Sequence, residues 1–118
     1  MAADPHLICA AAALEEGGRG VRFLVEWYGR PEPAFVVRYE GVPRAYLNRC
    51  AHVPTELDWQ EGDFFDLEAR YLICGTHGAL YEPRSGLCVL GPCKGRRLVP
   101  LQVEERDGQI FWLPNQTA

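Results

Sequence analysis

The sequence lacks a long hydrophobic run: the longest, residues 7–14, has eight residues and is half alanine. A bilayer span needs roughly twenty, so no membrane-spanning segment is expected. The opening Met-Ala-Ala-Asp-Pro-His has no basic cluster of the kind that begins a secretory leader, and a cytoplasmic setting is expected. Positive charge is also in short supply. Twelve Lys plus Arg stand against sixteen Asp plus Glu, a formal charge of -4, which argues against nucleic acid or an anionic membrane as a partner. Helix signals are scarce. Residues 10–16, stopped by Gly17-Gly18, and residues 54–59 each read as no more than a short helical turn. No repeat, low-complexity tract or linker divides the 118 residues, so a single domain over residues 1–118 is expected. An even set of cysteines is missing too. Five, at Cys9, Cys50, Cys74, Cys88 and Cys93, make a disulfide framework a poor expectation and metal or redox chemistry a better one.

What the chain has in quantity is turns and strands. Nine prolines and twelve glycines punctuate short segments in which apolar side chains alternate with polar ones. Residues 21–27 and 35–39 show that alternation with β-branched and aromatic side chains, and shorter strands are expected at 45–47, 71–74, 98–104 and 109–113. Glu40-Gly41-Val42-Pro43 reads as a turn, and Arg106-Asp107-Gly108 joins the last two strands as a hairpin. The fold class is therefore mostly β, a small antiparallel sandwich whose long loops, over about residues 48–95, carry the chemistry.

Two of those loops stand out. The first holds Cys50-Ala51-His52, the second Cys74-Gly75-Thr76-His77-Gly78. Each offers one thiolate and one imidazole at a spacing that lets both converge on a metal from a single turn. A structural zinc site uses the same four ligand types, but a zinc finger pairs Cys with Cys and His with His, whereas here each loop supplies one of each. Between the loops, residues 53–69 hold Glu56, Asp58, Glu61, Asp63, Asp66 and Glu68 and no Lys or Arg. This stretch reads either as a docking face for basic proteins or as a solvated loop. Trp59 and Cys9 are expected in the core, and His6 as a solvated terminal residue.

The arrangement resembles the Rieske [2Fe-2S] family. The resemblance continues through His77-Gly78-Ala79-Leu80-Tyr81, Arg84-Ser85-Gly86, Gly91-Pro92-Cys93 and Leu98-Val99-Pro100-Leu101, and so covers about residues 36–113. It implies a [2Fe-2S] cluster with Cys50 and Cys74 on one iron and His52 and His77 on the other. Tyr81 resembles the family tyrosine whose hydroxyl bonds a ligand sulfur, the alternative being an ordinary core aromatic. Gly78, Pro92 and Cys93 are expected beside the cluster. High-potential members carry a disulfide across the cluster and a serine after His-Gly. Here those positions are Thr55, Thr76 and Ala79, which implies a potential toward the low end of roughly -150 to +300 mV.

The implied function is a soluble Rieske-type ferredoxin, an electron carrier and not an enzyme, working between a reductase and an oxygenase or similar redox protein with no small-molecule substrate. Two alternatives are a small Rieske subunit of a larger reductase, such as nitrite reductase, and a structural zinc module. A fused oxygenase is not expected, because few residues follow Leu113. Cys88 and Cys93 are expected as a reduced structural pair, with a disulfide or a redox-sensing thiol as the alternatives.

Overall fold

In a computed structural model, residues 5–51, 55–58, 60–75 and 78–114 are described. Among these residues ten strands form three antiparallel sheets. The first sheet has the order β1 (His6–Ala10), β10 (Gln109–Trp112), β9 (Val103–Arg106), and the second runs β2 (Val21–Trp27), β3 (Arg30–Tyr39), β4 (Val42–Leu47), β8 (Pro100–Leu101). The third is small: β5 (Leu72–Ile73), β6 (Leu80–Tyr81), β7 (Cys88–Leu90). The mostly β antiparallel architecture is the one expected.

The second sheet is a partition between two cores, and β3 shows why. Successive strand side chains point to opposite faces, so Ala34 and Val36 enter a core shared with Val25, Leu47, Ile110 and Trp112, while Phe35 and Val37 enter another. All four are fully buried. On β2, at the edge of the same sheet, only alternate residues turn inward: Val21, Phe23, Val25 and Trp27 meet the first core, and Leu24 is left exposed. The second core joins Phe35, Val37 and Tyr46 to Phe64, Leu72, Tyr81, Leu98 and four cysteines, Cys50, Cys74, Cys88 and Cys93. The loop region is therefore not an appendage. It closes over one face of the partition, with the Phe35 and Phe64 rings stacked at 4.0 Å between centroids.

Three hairpins have two-residue turns with both residues at positive φ: Tyr28-Gly29, Glu40-Gly41 and Asp107-Gly108. That geometry matches the right-handed twist of the strands it joins. The stretch 98–104 is not one strand. It breaks at Gln102, giving β8 to the second sheet and β9 to the first, because a strand at a sandwich corner changes sheets. The expected strand at 71–74 shortens to β5. The early helical turn is a 3-10 turn, Ala11–Ala13, whereas described residues 55–58 form no helix. His6 is exposed, yet it pairs with Trp112 across β1 and β10 and meets that ring edge-on at 5.2 Å. Cys9 is half-buried against the first core. Trp59 lies outside the described residues. Among the described residues no helix is long and apolar enough to cross a membrane.

Candidate iron-sulfur centre

The loop of Cys50 begins where β4 ends, and the loop of Cys74 follows β5 directly. Each cysteine is therefore anchored on its N-terminal side by a strand of the second core. Cys50 and Cys74 are 2% and 0% exposed, so both sulfurs are kept from water although they sit on loops. His52 and His77, together with Thr76, lie outside the described residues. Among the described residues no three His, Cys, Asp or Glu side chains gather as a metal site.

Backbone hydrogen bonds close each loop and then join them. The Cys50 N–H donates to the Thr55 carbonyl at 2.8 Å, and the Cys74 N–H to the Ala79 carbonyl at 2.9 Å. The Gly78 N–H returns to the Cys74 carbonyl at 2.7 Å, and the Gly75 N–H reaches the Leu57 carbonyl at 2.8 Å. This last bond ties the second loop to the segment that follows the first. A third loop, residues 91–97, packs beside both. Arg96 donates to the Ala51 carbonyl at 3.3 Å. A Cβ on Gly91, which has φ of +111°, would stand 3.0 Å from the Ala79 Cα, so a side chain there would push the third loop off the second.

Tyr81 lies at the centre. Its ring is fully buried and its hydroxyl accepts from the Ala51 N–H at 2.9 Å, with the Cys50 Sγ at 3.2 Å and the Cys93 Sγ at 3.3 Å. Tyr81 is thus both a core aromatic and a neighbour of Cys50, so the two readings open in the sequence describe one residue. Burial first, then the neighbouring Cys50 and Cys93 sulfurs, push its phenol well above the usual tyrosine range, so the hydroxyl keeps its proton. Cys93 continues the chain of contacts, its thiol donating to the Cys88 Sγ at 2.9 Å while the Cys88 thiol faces the Leu90 carbonyl at 3.3 Å. Burial, followed by the neighbouring Cys93 thiol, raises the Cys88 thiol to about 11. Both cysteines are free thiols in this structure. Pro92 is exposed at the outer side of the same loop, and Gly78, at φ of +73°, has open space where a Cβ would sit.

The family model for the Rieske [2Fe-2S] domain matches residues 4–115. The chain belongs to the Rieske [2Fe-2S] family. Among solved structures, it is similar to the ferredoxin of carbazole 1,9a-dioxygenase from Nocardioides aromaticivorans IC177, at 21% identity and a TM-score of 0.71, covering 94% of this chain and 98% of that one. The Sphingomonas yanoikuyae B1 ferredoxin gives 19% identity and a TM-score of 0.69, with 93% and 98% covered. A quaternary ammonium Rieske monooxygenase gives 21% identity and a TM-score of 0.76 over 99% of this chain, which spans 32% of that larger protein. At such identities these likenesses establish the fold. A comparison with curated proteins finds no match.

The described residues suit a Rieske cluster. Two soft sulfur donors, Cys50 and Cys74, are buried in one core under three interlocked loops, and a neutral hydroxyl stands beside one of them. Thiolate ligands and hydrogen bonds to their sulfurs are what such a cluster takes from its protein.

A polar network that the sequence reading does not find holds the first loop. Asn48, 2% exposed, donates from Nδ2 to Asp58 Oδ1 at 2.9 Å and accepts from the Leu57 N–H at 2.8 Å. Asp58 Oδ2 accepts from the Gly62 N–H at 2.9 Å and lies 3.4 Å from the Arg22 Nε. Asp58 is therefore not a surface charge. Glu56 also pairs with Arg22, and Asp66 Oδ1 accepts from the Arg70 and Tyr71 N–H groups. Of the six acids between the Cys50 and Cys74 loops, Glu61 and Asp63 are exposed without an ion pair among the described residues, and Glu68 sits 3.5 Å from Arg70. An Asp amid acidic neighbours carries no sequence sign of burial.

Proposed function

We propose that this chain is a carrier of single electrons, taking them from a reductase and passing them to an oxygenase or similar redox enzyme, with no substrate of its own. Residues 1–118 act as one domain, in the cytoplasm. The observation that carries the reading is the shared buried setting of Cys50 and Cys74, sewn together by the Gly75 to Leu57 bond and by Tyr81. The partner class draws on a similar structure solved as a complex of reduced oxygenase and oxidised ferredoxin in carbazole 1,9a-dioxygenase, 22% identical with a TM-score of 0.69.

Cys50 and Cys74 would hold one iron, and His52 and His77 the other. When bound, the cluster supplies one-electron chemistry, with the added charge favoured on the iron that has neutral imidazole ligands. The chain's own residues set the conditions. Tyr81 donates a hydrogen bond to a ligand sulfur, which favours the more negative, reduced state. Thr55, Thr76 and Ala79 stand where high-potential members have a disulfide and a serine, so fewer groups favour that state and the potential lies low in the Rieske range. The Asn48 and Asp58 network keeps the first loop in place between oxidation states.

Iron and acid-labile sulfide analysis of the purified protein tests this, together with the EPR spectrum of the reduced form. About two irons and two sulfides per chain, with a Rieske-type signal lost in His52→Ser and in His77→Ser, are expected. One zinc in a colourless protein would overturn the reading, and a signal that survives both substitutions would overturn the ligand set.

A further inference from the structure

The carrier reading makes no use of Cys88 or of the thiol of Cys93. Both are buried, at 1% and 2% exposure, and their sulfurs lie 2.9 Å apart. A disulfide has an S–S distance of ~2.05 Å, so closing the bond asks for a movement of under about 1 Å. The two residues sit on one short excursion, with Cys88 opening β7 and Cys93 in the loop that follows it. The backbone already holds them face to face: the Cys88 N–H donates to the Arg96 carbonyl at 2.8 Å and the Gly95 N–H to the Cys88 carbonyl at 3.0 Å.

We propose that Cys88 and Cys93 are a dithiol modification site that closes to a disulfide on meeting a low-molecular-weight disulfide, and that closure is felt at Cys50 through Tyr81. In this step the Cys93 sulfur attacks one sulfur of the small disulfide and releases the other as a thiol. The Cys88 sulfur then attacks the Cys93 sulfur and releases the second thiol. Two protein thiols lose two electrons and two protons, and the small disulfide gains them as two thiols. Access comes from the third loop. In residues 91–97 every residue but Cys93 is exposed, so an opening confined to this turn uncovers the Cys93 sulfur while the strands stay paired.

The route to Cys50 follows from counting protons. Cys88 donates to Leu90 and Cys93 donates to Cys88, so the lone pairs of Cys93 face the Tyr81 hydroxyl. That hydroxyl already accepts from Ala51 and has one proton to give. Cys50 at 3.2 Å and Cys93 at 3.3 Å are its two competing acceptors. In the disulfide the Cys93 sulfur is drawn toward Cys88, away from Tyr81, and the proton goes to Cys50. A stronger bond to a ligand sulfur favours the reduced cluster, so closure raises the potential. The bond itself is independent of the carrier reading, whereas its effect on the cluster rests on that reading.

The test uses the full-length holoprotein incubated with oxidised or reduced glutathione, then acid-quenched, alkylated and digested with trypsin. Cleavage after Arg84 and Lys94 yields residues 85–94, which contain both cysteines. After oxidised glutathione this peptide should be unalkylated and lighter by two hydrogens than the free dithiol, and the cluster's midpoint potential should be higher than in the reduced sample. In Tyr81→Phe the bond should still close while the shift disappears. Because wild type is compared with itself, the test does not depend on a cysteine variant folding. A peptide that remains doubly alkylated, a closed bond with an unmoved potential, or an equal shift in Tyr81→Phe would overturn the proposal. A chain that closes the bond but binds no iron defeats the carrier reading and the coupling, leaving the bond itself. A chain with an intact cluster and two open thiols defeats the inference alone.

Discussion

Replacing Tyr81 with Phe removes one oxygen and keeps the buried ring, so it isolates what the hydroxyl does. The Ala51 N–H, now 2.9 Å from that oxygen, loses its acceptor in a partly buried position, which costs about 1–3 kcal/mol. For a domain of this size that corresponds to a fall in Tm of roughly 3–15 °C. The second loss falls on Cys50, whose sulfur no longer has a donor at 3.2 Å. A hydrogen bond to a ligand sulfur strengthens as the cluster becomes more negative, and a difference between the two redox states of about 0.5–1.5 kcal/mol is reasonable for one such bond. With a tenfold change in equilibrium worth about 59 mV for one electron, the potential should drop by roughly 20–65 mV where the Tyr81 proton goes to Cys50 alone, and by a share of that while Cys93 competes for it. Film voltammetry or an EPR-monitored titration gives the potential, and a thermal melt gives the stability. A variant that melts lower but keeps its potential within about 10 mV of wild type would show that Tyr81 only supports the loop. A rise in potential would refute the direction outright.

Asn48→Ala should lower stability by about 2–4 kcal/mol in urea unfolding, since it removes the donor to Asp58 Oδ1 and the acceptor of the Leu57 N–H, both buried; a loss under about 0.5 kcal/mol would mean that water replaces the amide at no cost. Tyr46 donates to the Pro83 carbonyl at 2.7 Å, and burial first, with Glu82 adding to it against Arg44 and Arg97, pushes its phenol up to about 12. The neutral phenol is the form that the fold favours, so its contribution is complete below pH 10 and is lost as pH rises toward 12. At about 1.4 kcal/mol per pKa unit the loss is on the order of 2–3 kcal/mol. Tyr46→Phe should flatten this part of the alkaline stability profile, and an unchanged slope would sink the assignment. Gly91→Ala should loosen the third loop from Ala79, seen as faster amide hydrogen exchange in residues 91–97; unchanged exchange there would show that the close approach does not hold the loop.

The parts of this protein that were legible in its sequence are those where physics restricts residue type at a fixed spacing. Alternation over seven residues marked β2, and Gly41 and Gly108 marked two turns, because period two and positive φ each leave a mark, whereas the Tyr28-Gly29 turn and the first half of β3, which holds Pro31 and Pro33, went unread. Strands as short as β6 and β7 have no period to detect, and β1, with sequence HLICA, resembles the start of an alanine-rich turn until Trp112 and its neighbours supply a partner. The break at Gln102 could not be read either, since it depends on which sheet is nearest. Cys50 and Cys74 stood out because thiolate and imidazole are the donors that iron accepts.

The acidic stretch between the loops shows where such reading stops and what the fold adds. Six acids without a basic residue read either as attraction of a basic partner or as a solvated loop, but attraction requires exposed charge, and Asp58 is buried on Asn48 and Gly62 while one Arg22 guanidinium faces both Asp58 and Glu56. Asp66 is spent on two backbone N–H groups. These three bind the segment after the Cys50 loop to β2, to Asn48 just past β4 and to the turn before β5. For the proposed carrier of single electrons that use would have its own value: a loop fixed by buried hydrogen bonds moves little when the charge at its centre changes, and less motion means a smaller reorganisation barrier to transfer. Glu61 and Asp63 are the exposed acids of that segment outside an ion pair among the described residues, so any attraction of a basic partner by this face would rest chiefly on them. The acidity of this segment serves the rigidity of the fold around Cys50 more than the attraction of a basic protein.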